Sequence, residues 1–373
     1  MQLFDENIDR VSRYSNYSEN HFKYLNISDR KEYSEIRRLL SKWFNEYPDK
    51  EKNEFKSRFC SNNDISFNSS FFELYLYNLL RTEKYKIKVH PELGNCPSKP
   101  DFLASTESEE FYLEAVVSEG KSEKEKSKEN LFNNFVDVIN QIETKKYFLS
   151  LSVRGLPNKP VPSKRIKETV QKELDLLDPK LLDLSIETGD FKKLPIWEFN
   201  TDGFKFEIQP MPIKRKNEST FISKPVAMVS YGMKFPRTEE YVLKTLKNKV
   251  NKYKNINKPI ILAFNLLDNS FSKEDMAEFL FDKNKQNSFW GNSNNYKNTR
   301  ISGILFINNL FPWSVGTYNL CLFINPFAKY KYEGKLCKLP TIKLVDGKIT
   351  QEDGEKTYKL LDLPMNWPHI FSG

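Results

Sequence analysis

The chain has 373 residues, 39% hydrophobic and 14% aromatic with 29 Phe and 18 Tyr, which excludes disorder and leaves room for one large α/β domain or two smaller ones. Its formal charge of +8 permits a polyanionic partner without requiring one, since the abundance of Lys beside Asn also fits an AT-rich coding sequence. The longest apolar runs, such as 259–264, fall short of the ~20 residues that span a bilayer, and the amino terminus has no secretory pattern, so a cytoplasmic protein without membrane contact is expected.

Residues 1–65 read as an N-terminal helical region, with Ile36, Leu39, Leu40, Trp43 and Phe44 in one stripe ended by Pro48. Ser69 to Arg81 predicts a helix with Glu73 in its first turn, beside Leu76 and Leu80; Ser70 and Glu73 also match a capping box. Strands are predicted over Tyr85 to His90, Lys99 to Ala104 and Phe111 to Val117. A mixed-sign charged segment follows, with Lys121 near its start, then a helix from Glu129 to Thr144 with Leu131, Phe135, Val138 and Ile142 buried, and a strand from Tyr147 to Arg154. Beyond Pro157, Pro160 and Pro162, a helix is expected from Ser163 to Leu177 and strands over 204–209, 226–231, 260–267, 301–307 and 320–324. Between these lie a basic helix from Glu239 to Tyr253 and a short one from Glu274 to Asp282. The alternation predicts an α/β fold, a mixed central β-sheet flanked by helices.

A four-residue loop from Thr106 to Glu109 would pair Ala104 with Phe111 and set Asp101 opposite Glu114. Opposed side chains on one face lie about 5 Å apart. Two carboxylates there repel by roughly 3–4 kcal/mol at an effective dielectric near 20, so a cation between them is expected, Mg²⁺ being the simplest. A salt bridge from Glu114 to a lysine is the alternative. His90 ends the preceding strand and either approaches this site or packs at an edge.

Scattered cysteines (Cys60, Cys96, Cys321, Cys337) give no zinc signature, and His21, His90 and His369 give no Ser/His/Asp constellation. No glycine-rich phosphate loop follows any strand. Lys244 and Lys247 on the basic helix are candidates for phosphate contact, as is Lys121.

A helix carrying Glu73, a strand, a Pro100-Asp101 strand and a strand carrying Glu114, in this order, resembles the PD-(D/E)XK nuclease superfamily over residues 68–153. The resemblance implies a restriction-endonuclease-like core at 66–155, followed by an α/β extension at 156–373 that continues the sheet. It implies a metal-dependent nuclease acting on DNA rather than RNA, with Asp101, Glu114 and Glu73 on Mg²⁺ or Mn²⁺, in restriction, repair or phage defence. The lysine of that motif is Val116 here. In some members the following helix supplies the basic group, which makes Gln141 and Lys145 the substitutes. The alternative is a catalytically inactive protein of the same fold that serves as a nucleic-acid-binding or protein-interaction module, and in either case a protein partner or a homodimer stays open.

Overall fold

The computed structural model describes residues 1–93, 99–178, 185, 187–190, 194–212, 221–231, 238–253, 256–281, 288–292 and 295–368. Cys96, Asp282 and His369 lie outside them. The chain forms two compact units, one of residues 1–11, 20–121 and 237–373, the other of residues 12–19 and 122–236.

The first unit opens with helices α1 (His21–Ile27), α2 (Lys31–Asn45), α3 (Lys52–Phe59) and α4 (Asp64–Thr82). Asn63 caps α4 by accepting from the Ile65 and Ser66 N–H groups, so the helix starts five residues before Ser69. Glu73 is therefore mid-helix, and Ser70 donates to the Ser66 carbonyl instead of forming the expected capping box. Strands β1 (Lys86–Val89), β2 (Phe102–Ser105) and β3 (Glu110–Ser118) follow as an antiparallel meander. Phe102 faces Leu113 and Ala104 faces Phe111, the register expected from the loop, and Thr106 N–H closes that loop on the Glu109 carbonyl at 2.8 Å.

The second unit holds α5 (Glu123–Ile139), β4 (Tyr147–Arg154), α6 (Ser163–Asp175), β5 (Trp197–Thr201), β6 (Phe204–Pro212) and β7 (Val226–Tyr231). Its sheet runs β5-β6-β4-β7. A Ser122–Glu125 capping box starts α5 six residues before Glu129, and the helix ends at Ile139. Phe132, Phe135, Val136 and Ile139 form the buried face, in place of Leu131 and Val138. They pack with Ile166, Val170 and Leu174 of α6 on Leu149, Leu151 and Val153 of β4.

The chain then returns to the first unit as α7 (Thr238–Lys252), β8 (Ile260–Leu266) and α8 (Lys273–Phe281), followed by the short β9 (Gly291–Asn292) and β10 (Asn295–Tyr296). After these come β11 (Gly303–Asn308), β12 (Cys321–Ile324), β13 (Thr341–Val345), β14 (Lys348–Glu352) and α9 (Thr357–Leu360). Its mixed sheet runs β1-β2-β3-β8-β11-β12-β13-β14, with β8 parallel to both β3 and β11. Strand β8 is buried along its whole length, as a central strand covered on both faces must be. Ile261 and Ala263 join the core made with α2, α3 and α4, whereas Ile260, Leu262 and Phe264 join that of α7 and α8. On β3 the same alternation sends Leu113 to the first core and Tyr112 and Val116 to the second, placing Glu114 on the α7 side. Thus β4 belongs to the second unit's sheet, and the segment 66–155 is shared between the units rather than forming one core.

Candidate active site

Asp101 stands at the entry of β2, just after Pro100, where its carbonyl accepts the His90 N–H at 2.9 Å. Its Oδ2 accepts the Ala115 N–H at 2.6 Å. Burial holds its carboxyl well above the usual carboxylate range, and the charges of Glu114 and then Glu73 add to the shift. The Ala115 N–H and Lys249 oppose it without reversing it. The other two carboxylates chosen from the sequence therefore both act on Asp101.

Glu73, 2% exposed, projects from the centre of α4. Its Oε1 accepts the Tyr47 hydroxyl at 2.5 Å, and its Oε2 meets Arg58 Nη1 at 2.8 Å. Burial works against the Arg58 charge, but the hydrogen bond and charge of Glu73 hold that guanidinium above its ordinary value. The same burial and the Glu73 carboxylate push the Tyr47 hydroxyl up. His90, at φ 45° just past β1, sets its ring between the Glu51 and Glu73 carboxylates. Because a carboxylate can only accept, the 3.0 Å contact with Glu51 Oε2 assigns the proton to His90 Nδ1. In the neutral ring Nε2 then carries the lone pair, 3.8 Å from Glu73 Oε1. Ligand atoms of Glu73, His90 and Asp101 lie within 4.8 Å of one another, and so do those of Glu51, Glu54 and His90. A pocket of about 480 Å³ opens here, lined by Lys50, Glu51, Glu54, Lys88, His90 and Lys99 among others.

Glu114, also 2% exposed, takes its partners from α7 and the residue after it. Lys249 and Lys252 place their Nζ atoms 2.7 and 3.1 Å from Oε1, and the Tyr253 hydroxyl donates to Oε2 at 2.5 Å. The lysine pairing weighed as an alternative is thus present, on the same glutamate whose charge reaches Asp101. Val116, where the motif lysine would stand, is buried among apolar side chains of α7 and β8.

Gln141 and Lys145 do not stand on one helical face, because α5 has ended at Ile139. Both belong to the second unit, where Lys145 Nζ sits 4.7 Å over the Phe221 ring. The basic groups gathered at Glu114 come instead from the helix that follows β3 within the first unit, which is α7. Of the lysines assigned to phosphate contact, Lys244 and Lys247 are exposed on α7 and Lys121 is half-buried beyond β3.

The sequence reading missed Tyr47, Arg58 and Tyr253 as site residues, placed Lys249 and Lys252 on the basic helix without assigning them to Glu114, and left His90 open. Lys249 carried a signal, since it adjoins Val250 of the buried stripe Val242, Leu246 and Val250. Arg58 carried none. Two carboxylates and an imidazole whose other nitrogen is tied to a third carboxylate have the composition of a divalent-cation site. Glu73, His90 and Asp101 are the residues that could hold such an ion. Glu114 is outside that group, in contrast to the expectation that it would share the ion with Asp101. Comparison with family models, curated proteins and solved structures gives no match to this chain.

Proposed function

We propose that the chain is a metal-dependent nuclease that hydrolyses phosphodiester bonds in DNA, with restriction, repair or phage defence as its setting. The observation that carries the reading is Asp101: a carboxyl driven up by burial and by two neighbouring carboxylates is where a cation relieves the most strain. Asp101, Glu73 and His90 hold the ion, and the imidazole nitrogen moves the fit from Mg²⁺ toward Mn²⁺. A divalent ion bound there supplies a water-derived nucleophile at neutral pH and offsets charge on the phosphoryl oxygens. Glu114 holds the Lys249 ammonium at 2.7 Å, ready to pair with the phosphate and give a proton to the leaving oxygen. Lys50, Lys88 and Lys99 around the pocket meet the flanking phosphates. The order of Glu73, Asp101 and Glu114 on helix, strand and strand, with lysines arriving from the next helix of the same unit, supports the superfamily resemblance.

A second reading has its own observation. Both oxygens of Glu73 and both of Glu114 already accept from, or pair with, a protein group. In that reading the network is a buried brace, and the protein is an inactive relative that binds nucleic acid or a protein partner.

Cleavage of plasmid, single-stranded DNA and RNA with Mg²⁺ or Mn²⁺ decides between them, comparing wild type with Asp101→Asn and Glu114→Gln. Metal-dependent cutting lost in both variants establishes the nuclease. No cutting, with no rise in melting temperature on adding Mn²⁺, leaves the binding module.

A further inference from the structure

The second unit presents aromatic rings to solvent in one groove. Tyr14, Tyr17 and Phe221 are 54%, 45% and 56% exposed. With Ser15, Asn16, Phe148, Ser223 and Lys224 they line a pocket of about 630 Å³. Large rings left this open mark a surface that meets something. The groove is built rather than loose. Asp137 of α5 accepts the Tyr17 and Ser18 N–H groups at 2.7 and 2.9 Å, and the Ile222 N–H donates to the Thr144 carbonyl at 2.9 Å. Each side of it carries a cation over a ring: Lys145 lies 4.7 Å from the Phe221 centroid, and Lys224 lies 5.4 Å from that of Tyr17. Lys145 and its neighbour Lys146 are exposed, and neither has a carboxylate partner among the described residues.

The composition selects the occupant. A protein partner's footprint is centred on a continuous apolar patch depleted of charge. Here the lining mixes Phe148 and Ile222 with Ser15, Asn16 and Ser223, and Lys145 and Lys224 lie over two of the exposed rings. Exposed rings with cations over them suit a strand whose bases stack and whose backbone is anionic. We infer that this groove binds single-stranded nucleic acid, with bases stacked on Tyr14, Tyr17 and Phe221 and phosphates paired with Lys145 and Lys224. The inference names a partner for the proposed function and rests on that reading only for the choice of polymer.

The test is fluorescence anisotropy of the full-length protein in EDTA with a labelled oligothymidine of about 12 nucleotides, a length within the range of such sites. EDTA prevents cutting, so binding is read whether or not the protein is a nuclease. The single strand should bind about tenfold tighter than a duplex of equal length. Tyr17→Ala and Phe221→Ala should each weaken it about tenfold, and Phe221→Trp should restore it. Lys145→Ala should flatten the salt dependence. Retained melting temperature in the ring variants separates a lost contact from a lost fold, since these side chains are exposed. Absence of oligonucleotide binding by wild type overturns the proposal, as does unchanged affinity in both alanine variants. The cleavage assay, scored separately, decides the nuclease reading.

Discussion

Glu73 and Glu114 are each 2% exposed, each accepts a tyrosine hydroxyl at 2.5 Å, and each meets a cation on its other oxygen, at 2.8 and 2.7 Å. The cation is where they differ. Arg58 stands 15 residues before Glu73, on the helix next to α4, and its guanidinium keeps its protons at any ordinary pH. Lys249 stands 135 residues after Glu114, and an ammonium can give a proton away. The arginine side braces α3 against α4, and the lysine side holds a proton that can move. Asp101 feels both carboxylates.

Asp101→Asn should reduce metal-dependent cleavage by about 10³-fold, and a loss under about tenfold in a plasmid-nicking time course would remove Asp101 from the chemistry. Exchanging the cations should act unequally: Lys249→Arg should cost about 10²-fold in cleavage, whereas Arg58→Lys should stay within a few-fold of wild type. Equal losses would mean that both cations only brace. For stability the order reverses. Arg58→Ala leaves Glu73 buried without its cation and should cost about 3 kcal/mol in urea unfolding. Lys249→Ala should cost about 1 kcal/mol, because Lys252 still pairs with Glu114 and both lysines are partly exposed.

The smallest effect is on pH dependence. Asp101 is raised from an ordinary value of 3.8, so the folded chain holds this proton more tightly than the unfolded one. Its contribution to stability is complete below 3.8 and is lost as pH rises through the folded value. In EDTA, Asp101→Asn should therefore gain on wild type from about pH 4 upward and then level off. A difference in urea midpoint that stays constant over pH would show that the carboxyl is not raised.

The hairpin was legible because period-2 alternation and a four-residue loop leave one register that buries Phe102, Ala104, Phe111 and Leu113. Strand Tyr147–Arg154 was legible in its bounds, but not in its sheet, since alternation says which face is buried and not what it pairs with. Helix starts were misread twice for the same reason. Asn63 and Ser122 are caps ahead of the first apolar repeat, and the stripe alone places the start too late. The partners of Glu114 lay beyond a local reading altogether. The basic helix was visible in the sequence, but the second unit separates it from β3, and only the parallel pairing of β3 with β8 brings α7 back over Glu114.

That separation also has a consequence in time. A Cβ built on Gly120 would meet Thr238 Cγ2 at 3.3 Å, so the chain departs from the first unit and rejoins it at one spot. During synthesis Glu114 emerges 135 residues ahead of Lys249. At ~5–20 residues per second, the nascent chain carries that glutamate for roughly 7 to 27 s before its lysines exist. Through that interval β3 has an unpaired edge on the side that β8 will occupy, while residues 122–236 are free to complete a sheet of their own.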